Sequence, residues 1–264
     1  MIPAQKMEFI DQLKQTVSVS YPPQRIVSLV PSQTELLADL GLEQEVVGLT
    51  KFCIHPASWR KEKTIVGGTK SFHHDRIKAL HPDLIIANKE ENTKEDILRL
   101  QEHYPVWVSD VQSLEEALQM IDGLGKVTGK KEQAQLLARQ LAESFTTLPE
   151  FSVLKAAYLI WRKPYMVAGS DTFIHEMMKY AGFENVFANQ QRYPAVNLED
   201  IAALAPDVLL LSSEPYPFKE KHLEEFREAC PHAVVQLVDG ELFSWYGSRL
   251  QYAPAYFKAL RSGL

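Results

Sequence analysis

Residues 75–87 read DRIKALHPDLIIA and residues 199–211 read EDIAALAPDVLLL. In register they share an acid, an Ile, the pair Ala-Leu and the pair Pro-Asp, and both run on into an apolar tetrapeptide. The first half of each stretch has helical spacing. Proline then stops the helix, because it cannot continue the amide ladder, and the apolar run has the length of a buried strand. A helix, a Pro-Asp turn and a strand occurring twice, 124 positions apart, point to two copies of one α/β unit.

The surrounding order agrees. Strand-like runs at Arg25–Val30, Val46–Thr50, Leu84–Ala87 and Val106–Val108 alternate with helical patterns at Ser32–Leu40, Asp75–Leu80 and Leu114–Leu124. Ser32 is read as an N-cap. The second half repeats this alternation with Ala156–Ile160, Met166–Val167, a helix over Asp171–Tyr180, then Ile201–Leu204, Val208–Leu211 and Val234–Val238. Such alternation predicts parallel sheets. Between the halves, Ala134, Leu137, Leu141, Phe145 and Leu148 fall at spacings of three and four with no Pro or Gly between them, so Lys130–Leu148 is one amphipathic helix closed by Pro149. The expected organisation is an N-terminal extension (1–22), an α/β lobe (23–126), a connecting backbone helix (127–150) and a second α/β lobe (151–264). The fold class is therefore α/β, with two Rossmann-like lobes joined by one long rigid helix.

Composition narrows function. The 264 residues are 45% hydrophobic and 23% charged, the balance of a globular chain. A net charge of −6 argues against nucleic acid, whose binders depend on clustered Lys and Arg. Cys53 and Cys230 are too far apart and too few to read as a disulfide framework. The first 24 residues carry scattered charges and lack the apolar core of a signal peptide, so the chain as written reads as cytosolic, or as exported with its signal removed. No nucleophile elbow, zinc-protease helix or dinucleotide-binding glycine motif is present. The glycines of Gly123–Lys130 miss the phosphate-loop spacing and are read as a turn between helices.

In open parallel sheets, ligands bind beyond the carboxyl ends of the strands. Those positions carry Phe52, Asn88 and Glu91 in the first half. In the second they carry Trp161, Arg162, Tyr165, Tyr216, Trp245, Tyr246 and Arg249. Rings beside Arg suit a flat ligand that is apolar on its faces and anionic at its rim. Cys53, His55 and Glu90 form a second candidate set, because thiolate, imidazole and carboxylate are the usual ligands of transition metals.

Several local motifs carry a resemblance. They are Arg25-Ile26-Val27-Ser28-Leu29 with Pro31-Ser32-x-Thr34-Glu35, Val66-Gly67-Gly68, Leu80-x-Pro82-Asp83-Leu84, Ala168 to Phe173, Gly182-x-Glu184-Asn185-Val186-Phe187 and Tyr193-Pro194-x-Val196. From about Pro23 onward the chain resembles the metal-chelate class of ABC-transporter solute-binding proteins, and within it the cobalamin-binding branch. The resemblance implies a periplasmic or membrane-associated monomer that catalyses nothing and needs no cofactor. Its ligand would be a metal chelate (cobalamin, haem or a ferric siderophore) held in an inter-lobe cleft. It further implies ligand contacts at Phe52, Thr69, Asn88, Met166, Tyr193, Glu241, Trp245 and Arg249, with Lys70 beside Thr69, and docking of a permease dimer through Asp75 and Glu199. Two other classes stay open at this point: an intracellular carrier of corrinoid, haem or metal, and a chelatase-like enzyme.

Overall fold

The computed structural model describes residues 5–264, which fall into two compact units. The first comprises the chain as far as Val111, with Glu115–Ala142 and Tyr246–Arg249. The second comprises Gln112–Leu114, Glu143–Trp245 and Leu250–Leu264.

Unit 1 opens with a hairpin, β1 (Gln5–Ile10) and β2 (Thr16–Tyr21), whose Val17 and Val19 are buried. Asp11 ties it down. One carboxylate oxygen accepts from the Gln15 amide at 2.8 Å, and the Asp11 side chain is itself buried. The sheet follows: β3 (Ile26–Ser28), α1 (Pro31–Asp39), β4 (Val46–Leu49), α2 (Trp59–Glu62), β5 (Thr64–Ile65), the small hairpin of β6 (Gly67–Gly68) and β7 (Ser71–Phe72), α3 (His74–Ala79), β8 (Leu84–Asn88), α4 (Lys94–Gln101) and β9 (Val106–Ser109). Strand order is β5-β4-β3-β8-β9, and every pair is parallel. All five residues of β8 are buried, as expected for a central strand covered on both faces. Ile85 and Ala87 share one apolar cluster with Ile77 of α3 and with Ile97 and Leu100 of α4. Helices α5 (Leu114–Thr128) and α6 (Lys131–Thr146) come next, and the division between units falls inside α6, after Ala142.

Unit 2 contains β10 (Leu154–Trp161), β11 (Tyr165–Val167), α7 (Phe173–Tyr180), β12 (Phe183–Asn185), β13 (Ala195–Val196), α8 (Leu198–Ala203), β14 (Val208–Ser212), α9 (Leu223–Ala229), β15 (Val234–Val238), α10 (Glu241–Ser244) and α11 (Ala253–Ser262). Strands β12, β10, β14 and β15 are parallel neighbours, while β11 and β13 add an antiparallel edge. Leu209 and Leu211 of β14 pack with Ile201 of α8 and with Leu223 and Phe226 of α9.

The repeat recognised in the sequence recurs in the strand order and in the turn before each central strand. Strands β3 and β10, β8 and β14, and β9 and β15 hold equivalent places. After α3 and after α8 the chain turns at a left-handed residue, His81 and Ala205, each with φ of 46°. The Pro-Asp that follows fixes the incoming strand. Asp83 accepts from the Gln24 and Arg25 amides at 2.7 and 2.8 Å, and Asp207 accepts from the Lys155 amide at 2.8 Å. The aspartate thus satisfies amides that would otherwise be left open where β3 and β10 begin.

Two local readings need correction. Helix α1 starts one residue earlier than Ser32, with Pro31 in its first turn and Val30 as an N-cap that supplies no side-chain bond. Proline favours the first turn because its fixed φ suits the helix and its missing N–H is not needed there. The glycines of 123–130 do not share one turn either. Gly123 and Gly125 lie inside α5, where a Cβ would come within 2.9 Å of Trp107 and 2.2 Å of Ala134, so both are packing contacts. Only Gly129, with φ of 77°, ends a helix.

Candidate functional site

In unit 1, the β8 end is organised by Asn88. Its side chain is buried and makes four bonds. The carbonyl accepts from the Glu90 and Glu91 amides at 2.8 and 3.0 Å, and the amide donates to the Ser109 carbonyl and hydroxyl at 3.2 and 2.9 Å. Asn92 continues the pattern by accepting from the Asn88 amide at 2.8 Å and donating to the Thr69 carbonyl at 2.8 Å. Thr69 and the exposed Lys70 occupy the tip of the β6–β7 hairpin. Phe52, after β4, is 50% exposed, with the Lys51 ammonium 5.0 Å from its ring centroid.

The segment Tyr246–Arg249 belongs to unit 1 and is fastened there twice. Tyr246 donates its hydroxyl to Glu91 at 2.9 Å, and Arg249 meets Glu35 of α1 in a two-point ion pair at 2.8 and 2.6 Å. Both charged side chains of that pair are largely buried, at 15% and 13% exposure. Sequence reading named Arg249 but not Glu35, whose only signal was its place in the Thr34-Glu35 motif.

The expected metal set is not assembled. Cys53 is fully buried and its thiol lies 3.1 Å from the Thr34 hydroxyl and 3.2 Å from that of Thr50. Burial pushes the thiol pKa up, which opposes the thiolate a metal needs. Among the described residues, no three His, Cys, Asp or Glu side chains come together as a metal site.

In unit 2, Trp161 at the end of β10 is 39% exposed and stands edge-on to Tyr216 at 5.8 Å. Tyr216 packs in turn on Phe218 at 4.8 Å and His222 at 5.5 Å. The His222 Nδ1 accepts from the Lys219 amide at 3.0 Å, which leaves Nε2–H to face the Tyr216 hydroxyl at 3.4 Å. Arg162 is engaged by Glu225 of α9 in a two-point pair at 2.7 and 2.7 Å. That bond holds the Glu225 carboxyl below the usual range and raises the guanidinium pKa. Tyr165 and Met166 are half-buried on β11, paired with Val196 and Ala195 of β13, and Tyr193 lies just before β13 with the Arg192 guanidinium 5.9 Å from its ring.

At the end of β15, Glu241 begins α10 and Trp245 follows it. The Trp245 indole N–H donates to Glu214 at 2.7 Å, and the Ser244 hydroxyl donates to the same oxygen at 2.8 Å. Burial raises the Glu214 pKa even against these two donors. Asp75 and Glu199 are both exposed, each the second residue of a six-residue helix, α3 and α8 respectively.

The periplasmic binding protein family model matches residues 26–231. The chain belongs to the periplasmic binding protein family. Similar proteins in this family include the vitamin B12-binding protein of Vibrio parahaemolyticus, 27% identical over 197 residues that cover 72% of this chain and 71% of that protein. An uncharacterized ABC transporter substrate-binding lipoprotein of Bacillus subtilis is 26% identical over 254 residues, 91% of this chain and 80% of that one. Among solved structures, the periplasmic vitamin B12 binding protein of Vibrio cholerae aligns with a TM-score of 0.77 at 22% identity, covering 92% of this chain and 99% of that one. A periplasmic haem binding protein from Pseudomonas aeruginosa aligns at 0.74 and 23% identity, covering 90% and 92%. These likenesses establish the α/β fold of the periplasmic binding proteins. The relatives are named as binding proteins, periplasmic or lipoprotein, and they lend no support to the cytosolic reading of the first residues.

Proposed function

We propose that this periplasmic binding protein captures a metal chelate outside the cytoplasmic membrane and delivers it to an ABC transporter. The chelate class is that of corrinoids, haem and ferric siderophores. The reading is supported by relatives named for vitamin B12 and haem. The observation that carries it is the ring pair at the end of β10, where Trp161 is open to solvent and held edge-on by Tyr216. Large rings left exposed where sheet strands end supply stacking surface to a flat macrocycle. Phe52 offers the same in unit 1. Arg162 and Arg249 are each engaged by a carboxylate at two points, and the exposed Lys70 is proposed as a cation for an anionic ligand rim.

Titration of the protein with cobalamin, cobinamide, haem and ferric siderophores tests this. One of them quenches tryptophan emission with submicromolar affinity, beyond about −8 kcal/mol, and Trp161→Ala weakens that binding about tenfold. Emission unchanged by all four overturns the reading.

Delivery is proposed to use Asp75 and Glu199. Each exposed ion pair contributes only about 0–1 kcal/mol, but two such contacts on one protein act together. Asp75→Arg with Glu199→Arg is expected to abolish stimulation of the cognate transporter's ATPase while chelate affinity stays within about threefold. Undiminished stimulation removes these acids from the docking surface.

A further inference from the structure

Strand β1 has a neighbour on one side only. It pairs with β2 across six residues without a bulge, and among the described residues no strand lies against its other edge. Five of its six residues are exposed and the sixth, Phe9, is half-buried. An uncovered strand edge presents a row of unpaired amides and carbonyls, and proteins ordinarily blunt such edges with Pro, bulges or several Lys. QKMEFI has none of these apart from one Lys. The two faces of the hairpin also differ. Met7 and Phe9 stand opposite the buried Val19 and Val17, while Lys6 and Glu8 stand opposite Ser20 and Ser18 on the outer face. Met7 is nevertheless 37% exposed, so the apolar face runs past the edge of the unit that covers it.

Sequence reading expects a monomer. We propose instead that β1 is a self-association edge, on which the β1 strands of two copies pair antiparallel about a two-fold axis through Met7. Residues facing one another across an antiparallel pair share a face, so a continuous apolar face restricts the pairing to registers that shift two residues at a time. With Met7 opposite Met7, Lys6 of each copy faces Glu8 of the other, giving two opposite-charge pairs. Shifting one step places Lys6 against Lys6, and one step the other way places Glu8 against Glu8. Like charges directly opposed on a sheet are unfavourable, so the sequence selects one register. Six residues per copy is a small contact beside a standard interface, and the expected dissociation constant is about 100 µM.

Sedimentation velocity of the whole chain from about 10 to about 500 µM tests this, and it is expected to show a monomer–dimer equilibrium with that midpoint. Lys6→Glu, on the exposed face, weakens the dimer about tenfold, and Lys6→Glu with Glu8→Lys returns it to within about threefold. A covalent readout is independent of that equilibrium. Cys53 and Cys230 are buried, so Met7→Cys introduces a single accessible thiol. Residues directly opposed have Cα atoms about 4.5–5.5 Å apart, within disulfide reach, so mild oxidation cross-links Met7→Cys to itself. Ile10→Cys is the control, since in this register its two copies lie about 20 Å apart and do not cross-link. A chain that stays monomeric up to the highest concentration overturns the proposal. So does a dimer that ignores Lys6→Glu, a double variant that fails to recover, or equal cross-linking at positions 7 and 10.

Discussion

Removing the Asn88 side chain separates a loop-holding residue from a ligand contact. The buried carboxamide reaches the Glu90 amide, the Glu91 amide and Ser109 together, through four hydrogen bonds. A hydrogen bond of this kind contributes about 1 kcal/mol net, and a buried partner left unsatisfied costs about 1–3 kcal/mol. Glu90 and Glu91 are only half-buried, so water can reach part of the vacated space and the sum should be discounted. Asn88→Ala is expected to destabilise the protein by about 2–3 kcal/mol, equivalent to a fall in Tm of roughly 4–10 °C for a chain of this size. Asn88→Asp keeps the acceptor but loses the donor to Ser109, and should fall in between. Differential scanning calorimetry of the three proteins measures the effect directly. If Asn88 instead served as a ligand contact, Asn88→Ala would leave Tm unchanged and reduce only chelate affinity, and that outcome would remove Asn88 from the loop-holding role.

The Arg249–Glu35 pair gives a second expectation. Arg249→Met strands a largely buried carboxylate and destabilises by about 1–3 kcal/mol, while Arg249→Met with Glu35→Leu recovers most of the loss in urea unfolding, because apolar side chains of similar size need no charge partner. Glu214 gives a pH dependence. Its folded pKa is raised by burial, so between its ordinary value near 4.5 and the folded value the native state holds a proton that the unfolded state has released. Its contribution to stability therefore falls as pH rises through that window. Glu214→Gln keeps a carbonyl for Trp245 and removes the titration, so the wild-type minus variant difference in Tm should decline from low to neutral pH. A difference independent of pH would mean that Glu214 is not titrating in the fold.

Much of the architecture was written in residue order. The apolar runs at 84–87 and 208–211 and the Pro-Asp pairs before them marked two equivalent units, because a buried parallel strand tolerates little else. The left-handed turns at His81 and Ala205 were not legible, since neither residue type announces positive φ. Gly123 and Gly125 misled for the opposite reason. Glycine also serves close helix packing, and their neighbours Trp107 and Ala134 are distant or unmarked in sequence. At the site, exposed rings such as Trp161 could be expected from their loops. The commitment of Arg162 to Glu225, of Arg249 to Glu35 and of Trp245 to Glu214 could not, because each partner lies 31 to 214 positions away. Cys53 shows the same limit. Its type suggested a metal ligand, while its burial beside Thr34 and Thr50 could not be read from the sequence.

The proposed capture of a metal chelate is tested by native mass spectrometry of the purified protein mixed with cobalamin, cobinamide, haem and ferric siderophores at about 10 µM each. The expected spectrum shows a one-to-one adduct with one chelate, retained in competition with the others and diminished in Trp161→Ala. Protein that stays at its bare mass in the presence of every chelate would contradict it.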